Sequence, residues 1–209
     1  MKLYYSAGSC STSCHISLEE AGVKYEAIAV DFDQPGDPNL ELIQKLNKLG
    51  TLPVFLTDDG KQLDQNIAIH VCIADQAPQK NLLPKAGTFE RLEALNWLSF
   101  VAADLHKSVG GLFGLAAYEN DKSVQAAVRK NLVGRAQEVL DYLNTRLQGR
   151  TYILGEQFSV VDSYAFVVCS WTRYLDVSLA PYPHLSAFLG RVAARPAVAK
   201  VLAAEGLTE

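Results

Sequence analysis

Positive charge is scarce in this sequence: 19 Lys and Arg stand against 23 Asp and Glu, for a net charge of -4. A general nucleic-acid binder carries a clustered basic surface, so nucleic acid is not an expected partner. Docking on an anionic membrane is disfavoured for the same reason. Long apolar runs are also missing. The longest, Ala165–Trp171, is interrupted by Ser170 and falls well short of the ~20 residues of a membrane helix. The opening MKLYYSAGS lacks the apolar core of ~7–15 residues that marks a secretory signal. The expected compartment is the cytoplasm, where thiols stay reduced. Cysteine is sparse, with 4 in all at positions 10, 14, 72 and 169. They form no CxxC pair and no cysteine–histidine spacing of a zinc site, so no metal is expected. No internal repeat or low-complexity tract is present.

What is present suits a soluble globular protein. The 209 residues are 49% hydrophobic and 20% charged. That is enough for one large domain or two small ones with a real core.

The two halves differ in texture. Residues 2–5 read as a strand, and Cys14, Leu18 and Ala21 recur at the spacing of one helix face, with Gly22 as its cap. Residues 25–30 read as a second strand, which completes a βαβ unit with a right-handed crossover. Two prolines and a glycine make 31–38 a loop, and Leu40, Ile43 and Leu46 predict a short helix after it. Residues 52–56 and 61–63 flank Asp58-Asp59-Gly60 as a hairpin, and 67–74 read as helix. Residues 76–87 form the best linker. Beyond them the strand pattern stops. Helices are predicted over 89–110, 123–147, 160–174, 185–194 and 197–204, the first with a core stripe of Leu92, Leu95, Leu98, Ala102 and Leu105. Ser159 and Asp162 have the spacing of a capping box, which starts a helix apolar on nearly every face. The fold class expected is an α/β N-terminal domain over 1–77 and an all-α domain over 88–209.

Few residues stand out for chemistry. Cys10 follows a strand through a small-residue turn and precedes a helix, where unsatisfied N–H groups and the helix dipole favour a thiolate. The competing reading is a small buried hydrophobe. Cys14 lies on the apolar stripe and reads as core. Asn96, Ser99, Ala103 and His106 step along one polar face of the long helix, either a cleft wall rimmed by Asp104 and Lys107 or a solvated face. His15, His70 and His184 carry no partner pattern. Gln65 and Asn66 open a helix, either as caps or as a carboxylate-binding helix end. Pro53 begins a strand.

In this order and spacing the segments resemble the cytosolic glutathione transferases, most closely the bacterial beta class, over essentially the whole chain. MKLYYSAGSCSTSCH is similar to that class's opening, with cysteine at position 10. LPVFLTDDG followed by LDQNIAI resembles the family's proline, hairpin and glutathione-binding helix. WLSFVAADLHK resembles the segment that carries a histidine and a lysine, FSVVDSYAF the capping box, and RPAVAKVLAAEGL the C-terminal helix.

The resemblance implies a thioredoxin-like N-terminal domain, a helical C-terminal domain and a homodimer, with glutathione as co-substrate in a groove between the domains. It implies that Cys10 meets the glutathione sulfur and that Leu52 pairs with the cysteinyl backbone beside a cis Pro53. Gln65 and Asn66 would hold the γ-glutamyl end. Ser99, Ala103, Asp104, Leu105, His106 and Lys107 would line the helical side, with Cys10 and His106 as the catalytic pair. The activity implied is conjugation of the glutathione thiolate to small hydrophobic electrophiles, with Tyr5, Phe113 and Tyr174 suggested for the pocket wall. Thiol–disulfide exchange through Cys10 would be a second outcome. The alternatives on the same scaffold are a glutathione-dependent isomerase or dehalogenase, or a non-catalytic interaction protein. The sequence departs from the class at Pro35, Gln65, Asn66, Ser99 and the NKLG of 47–50.

Overall fold

The computed structural model describes residues 1–34, 36–118 and 120–208. Contacts divide the chain into two units, Met1–Leu92 together with the stretch from Ala193 onward, and Glu93–Val192. The packing therefore groups the C-terminal helix with the N-terminal unit.

The first unit is built on a sheet in the order β2-β1-β3-β4. Strand β1 (Lys2–Tyr5) pairs parallel with β2 (Glu26–Ala29) and antiparallel with β3 (Val54–Leu56), which turns back into β4 (Gln62–Leu63). Helix α1 (Ser11–Ala21) makes the crossover, and α2 (Pro38–Leu46) and α3 (Asn66–Gln76) complete the layers. Alternate side chains of a strand face opposite ways. Tyr4 and Val54 accordingly pack with Val30 and Ile43 and against Leu40, Leu42 and Leu46 of α2. Leu3 and its cross-strand partner Phe55 are fully buried.

Helix α1 departs from the amphipathic pattern read from the sequence. Every residue from Ser11 to Leu18 is buried, the serines and Thr12 included. Helices α3 and α9 (Pro196–Ala204) pack on it, and the small hydroxyl side chains find partners there. Glu205, just past α9, accepts hydrogen bonds from Thr12 Oγ1 at 2.7 Å and Gly8 N at 3.1 Å, and its other carboxylate oxygen lies 2.8 Å from His15 Nδ1. Arg195 adds a two-pronged ion pair to Glu20 at 2.6 and 2.8 Å. At the other end of α1, Gly22 takes φ 65° and donates to the carbonyls of Leu18 and Glu19. An added Cβ meets nothing closer than 3.7 Å, so the expected cost of Gly22→Ala is conformational, about 1 kcal/mol in urea unfolding.

The second unit is helical. Helix α4 (Phe89–Phe100), in which the boundary between the units falls, runs through a π turn, Val101–Leu105, into α5 (His106–Gly110) and a 3₁₀ stretch, Gly111–Tyr118. The long α6 (Lys122–Leu147), α7 (Val160–Ser170) with a 3₁₀ end at Trp171–Tyr174, and α8 (Pro183–Ala193) follow. The single long helix expected over 89–110 is thus three pieces. His106 donates its backbone N–H to the Val101 carbonyl, five residues back. A turn closed this way holds one extra residue, so side chains beyond it are rotated relative to an unbroken helix. The buried stripe is Ala94, Trp97, Leu98, Val101, Leu105 and Val109, whereas Leu92, expected in the core, is exposed. The capping box is present. Asp162 accepts from Ser159 N and Ser159 Oγ at 2.7 Å each, and from Ile153 N at 2.8 Å. Among the described residues, no helix is long and apolar enough to cross a membrane.

Candidate active site

In the N-terminal unit the site begins where β1 ends. Gly8, at φ 72°, turns the chain, and Ser11 Oγ accepts from the Ser6 N–H at 3.1 Å, which closes the loop into α1. Cys10 caps α1 at its N-terminus and is partly exposed. Its Sγ donates to the Leu52 carbonyl at 3.6 Å. The Leu52–Pro53 bond is cis, as the resemblance implied. Asn47, buried, steadies the turn before it by donating to the Thr51 carbonyl at 3.0 Å and accepting from Leu49 N at 3.1 Å. Cys10 is therefore not sealed in the interior. Its thiol stands at a helix end with no acidic residue in the first turn, where N–H groups favour an anion.

Gln65 is the N-cap of α3 and exposed, with no hydrogen bond from its side chain to the helix end. Asn66 is different. Its side chain turns inward, donating to the Cys10 carbonyl at 3.3 Å and accepting from the Cys14 thiol at 3.0 Å. Its backbone N–H opens α3, at the positive end of a helix without a first-turn acid.

Beneath these residues lies a buried polar cluster that sequence reasoning did not find. Ser13 Oγ donates to the Cys10 carbonyl at 2.6 Å and lies 3.1 Å from His70 Nε2, while Ser17 Oγ lies 3.0 Å from His70 Nδ1. Burial pushes the Cys14 thiol well above its ordinary range and His70 down to about 3. Both are therefore neutral at pH 7, Cys14 as an inert thiol and His70 as a spacer between α1 and α3. The signal in the sequence was their place, polar side chains at positions where the helix faces must be covered.

In the helical unit, Ser99, Ala103, Asp104 and Lys107 are exposed. Ser99 spends its hydroxyl on the Leu95 carbonyl at 2.8 Å. Leu105 is fully buried, so its side chain belongs to the core. His106 leaves the face of Asn96, Ser99 and Ala103 because of the π turn and is partly buried, its Nδ1 2.8 Å from the Tyr164 hydroxyl. Burial and the charge of Lys107 hold its pKa down to about 4. At neutral pH His106 is an uncharged hydrogen-bonding group, and the positive charge there belongs to Lys107. Of the aromatics suggested for a pocket wall, Tyr5 is buried against His15, while Phe113 and Tyr174 are exposed and Phe113 packs edge-on against Trp171. Pro35 lies outside the described residues. Among the described residues no group of three or more His, Cys, Asp or Glu is placed to hold a metal.

Comparison with known proteins shows the family. The profile of the Glutathione S-transferase N-terminal domain matches residues 1–75, and that of the Glutathione S-transferase C-terminal domain matches residues 109–196. The chain belongs to the glutathione S-transferase family. It is 34% identical over 208 residues to glutathione S-transferase GstA of Escherichia coli O157:H7, covering 99% of this chain and 100% of that protein. The ternary complex of BphK, a bacterial glutathione S-transferase, matches with a TM-score of 0.90 at 39% identity over 99% of this chain and all of that one. A sphingomonad glutathione S-transferase complexed with glutathione gives 0.89 at 36% identity over 100% of both chains. The bacterial beta class enzyme of Sphingomonas chungbukensis gives 0.87 at 33% over 100% of both. The thioredoxin-like and helical halves of the transferase fold are thus both present, and the likeness to the beta class runs through the whole chain.

Proposed function

We propose that this transferase joins the thiolate of glutathione to small hydrophobic electrophiles, as a cytoplasmic homodimer. The observation that carries the reading is the partly exposed Cys10 thiol at the mouth of α1, hydrogen-bonded to Leu52 beside the cis Pro53. The sphingomonad relative, solved with glutathione bound, supports the choice of thiol substrate.

The residues divide by chemistry. In this reading the Leu52 backbone pairs with the peptide backbone of glutathione; among the described residues nothing accepts a hydrogen bond from the Leu52 N–H. The γ-glutamyl carboxylate sits at the N–H groups opening α3, where Gln65 adds a neutral amide. The thiol needs to lose its proton, and the N-terminus of α1 and Lys107 favour the resulting anion. The sulfur then attacks an electrophilic carbon. A C–S bond forms, and the leaving group departs with its electron pair. His106, neutral, contributes as a hydrogen-bonding group, and the exposed Ser99, Ala103 and Asp104 are the helical unit's further contacts, whereas Leu105 serves its core.

Thiol–disulfide exchange through Cys10 is the second outcome. The Cys10 thiolate attacks oxidised glutathione, the S–S bond breaks, one glutathione leaves as thiolate, and a mixed disulfide remains. Intact mass after incubation with oxidised glutathione is the test. Wild type and Cys14→Ser should gain one glutathione, since Cys14 is buried and neutral, and Cys10→Ser should gain none. Cys10→Ala should lose exchange activity more than conjugation. A chain that neither forms the adduct nor is retained on immobilised glutathione is an interaction protein, and the proposal fails. Sedimentation should give twice the 22.8 kDa chain mass for the dimer.

A further inference from the structure

The His106 imidazole is held more closely than packing alone requires. Its Nδ1 lies 2.8 Å from the Tyr164 hydroxyl, on the α7 helix that the Asp162 cap begins. The Trp171 ring meets it edge-on at 4.9 Å between centroids. Gly110 closes a further side, since a Cβ there would lie 3.2 Å from both His106 Cδ2 and Trp171 Cζ3. The π turn delivers the ring into this frame. Among the described residues nothing bonds to Nε2.

A neutral imidazole has one donor and one acceptor, and the partner of one nitrogen settles the role of the other. A phenol is a stronger acid than an imidazole N–H, so the hydroxyl is the donor of this pair. We propose that Tyr164 is a positioning residue for His106: its hydroxyl donates to Nδ1, so the ring carries its proton on Nε2 and presents an Nε2–H donor. The imidazole then stabilises a sulfur anion by donating to it and has no lone pair facing outward with which to take a proton. This rests on the reading that His106 acts on the glutathione sulfur. The neutral state it requires is supplied by the burial described above.

The test uses the whole protein labelled with ¹⁵N-histidine at pH 7, with His106 identified by its loss in His106→Asn. Wild type should show a pyrrole-like Nε2 and a pyridine-like Nδ1. Tyr164→Phe, which keeps the ring, should move both nitrogens toward averaged tautomer values. It should also lower kcat for conjugation about tenfold while the glutathione KM changes by less than about twofold. A proton on Nδ1 in wild type overturns the proposal, as does a His106 spectrum unchanged in Tyr164→Phe. The spectrum needs no substrate, so it decides the tautomer separately. An unchanged kcat in His106→Asn would instead overturn the reading on which the positioning role rests.

Discussion

Asp162→Ala should destabilise the helical unit by about 4 kcal/mol, measured as the free energy of unfolding in urea. The carboxylate accepts from two backbone N–H groups and one hydroxyl, with the side chain fully buried. Each donor left buried without a partner costs about 1–3 kcal/mol, and the cap itself about 1. The bond to Ile153 makes the residue more than a local cap, because it ties the Gly149–Gly155 loop to the start of α7. Ser159→Ala removes a donor together with its bond and takes away the hydroxyl that accepts from the Asp162 N–H, a cap loss of about 1 kcal/mol. A loss near that smaller value for Asp162→Ala would show that water replaces the carboxylate and that the box is no more than a helix start.

Acidification from pH 7 to pH 5 should weaken the protein through His70, by about 2 kcal/mol. Its folded pKa, pushed to about 3 by burial, lies below the ordinary 6.5. The unfolded chain therefore binds the proton more readily throughout that interval. The stability His70 contributes is complete above the unfolded value and falls away as the pH drops below it. His106, held to about 4, acts in the same direction. Asp162 acts in the opposite one. Burial raises its carboxyl to about 6 from 3.8, so folding favours its protonated form, and its contribution declines as the pH rises through that range. The two histidines outweigh it over this interval. Urea midpoints at the two pH values decide the matter: His70→Gln, which keeps a polar side chain that does not titrate, should show a visibly flatter pH dependence. Equal slopes in wild type and variant would assign the effect elsewhere.

Much of the fold could be read from local pattern. The apolar, aromatic run of 2–5, the alternation in 25–30, the Asp-Gly hairpin, the Gly22 cap and the Ser159–Asp162 spacing all correspond to observed elements, because each is set by neighbours within a few residues. The same holds for the placement of Cys10 at a helix mouth. Other features had no local signature. The serine-rich face of α1 looks solvent-exposed until α3 and α9 cover it. Asn66 reads as an outward ligand contact until Cys10 and Cys14 are seen to engage it. A 3.6-residue period continued through 101–105 hides the π turn and turns His106 toward the wrong face.

The division follows the range of the forces. Hydrophobic periodicity, turn chemistry and helix caps act over a handful of residues, so the order of the main strands and helices was already written in the chain, together with the cysteine at the first helix. Partners distant in sequence were not. Tyr164 stands 58 residues from His106, His70 stands 57 from Ser13, and Glu205 lies 190 from His15. Only packing brings such groups within hydrogen-bond reach, and packing alone sets which of them are stripped of water. Desolvation then decides their protonation, which leaves His106 neutral and Cys14 an inert thiol.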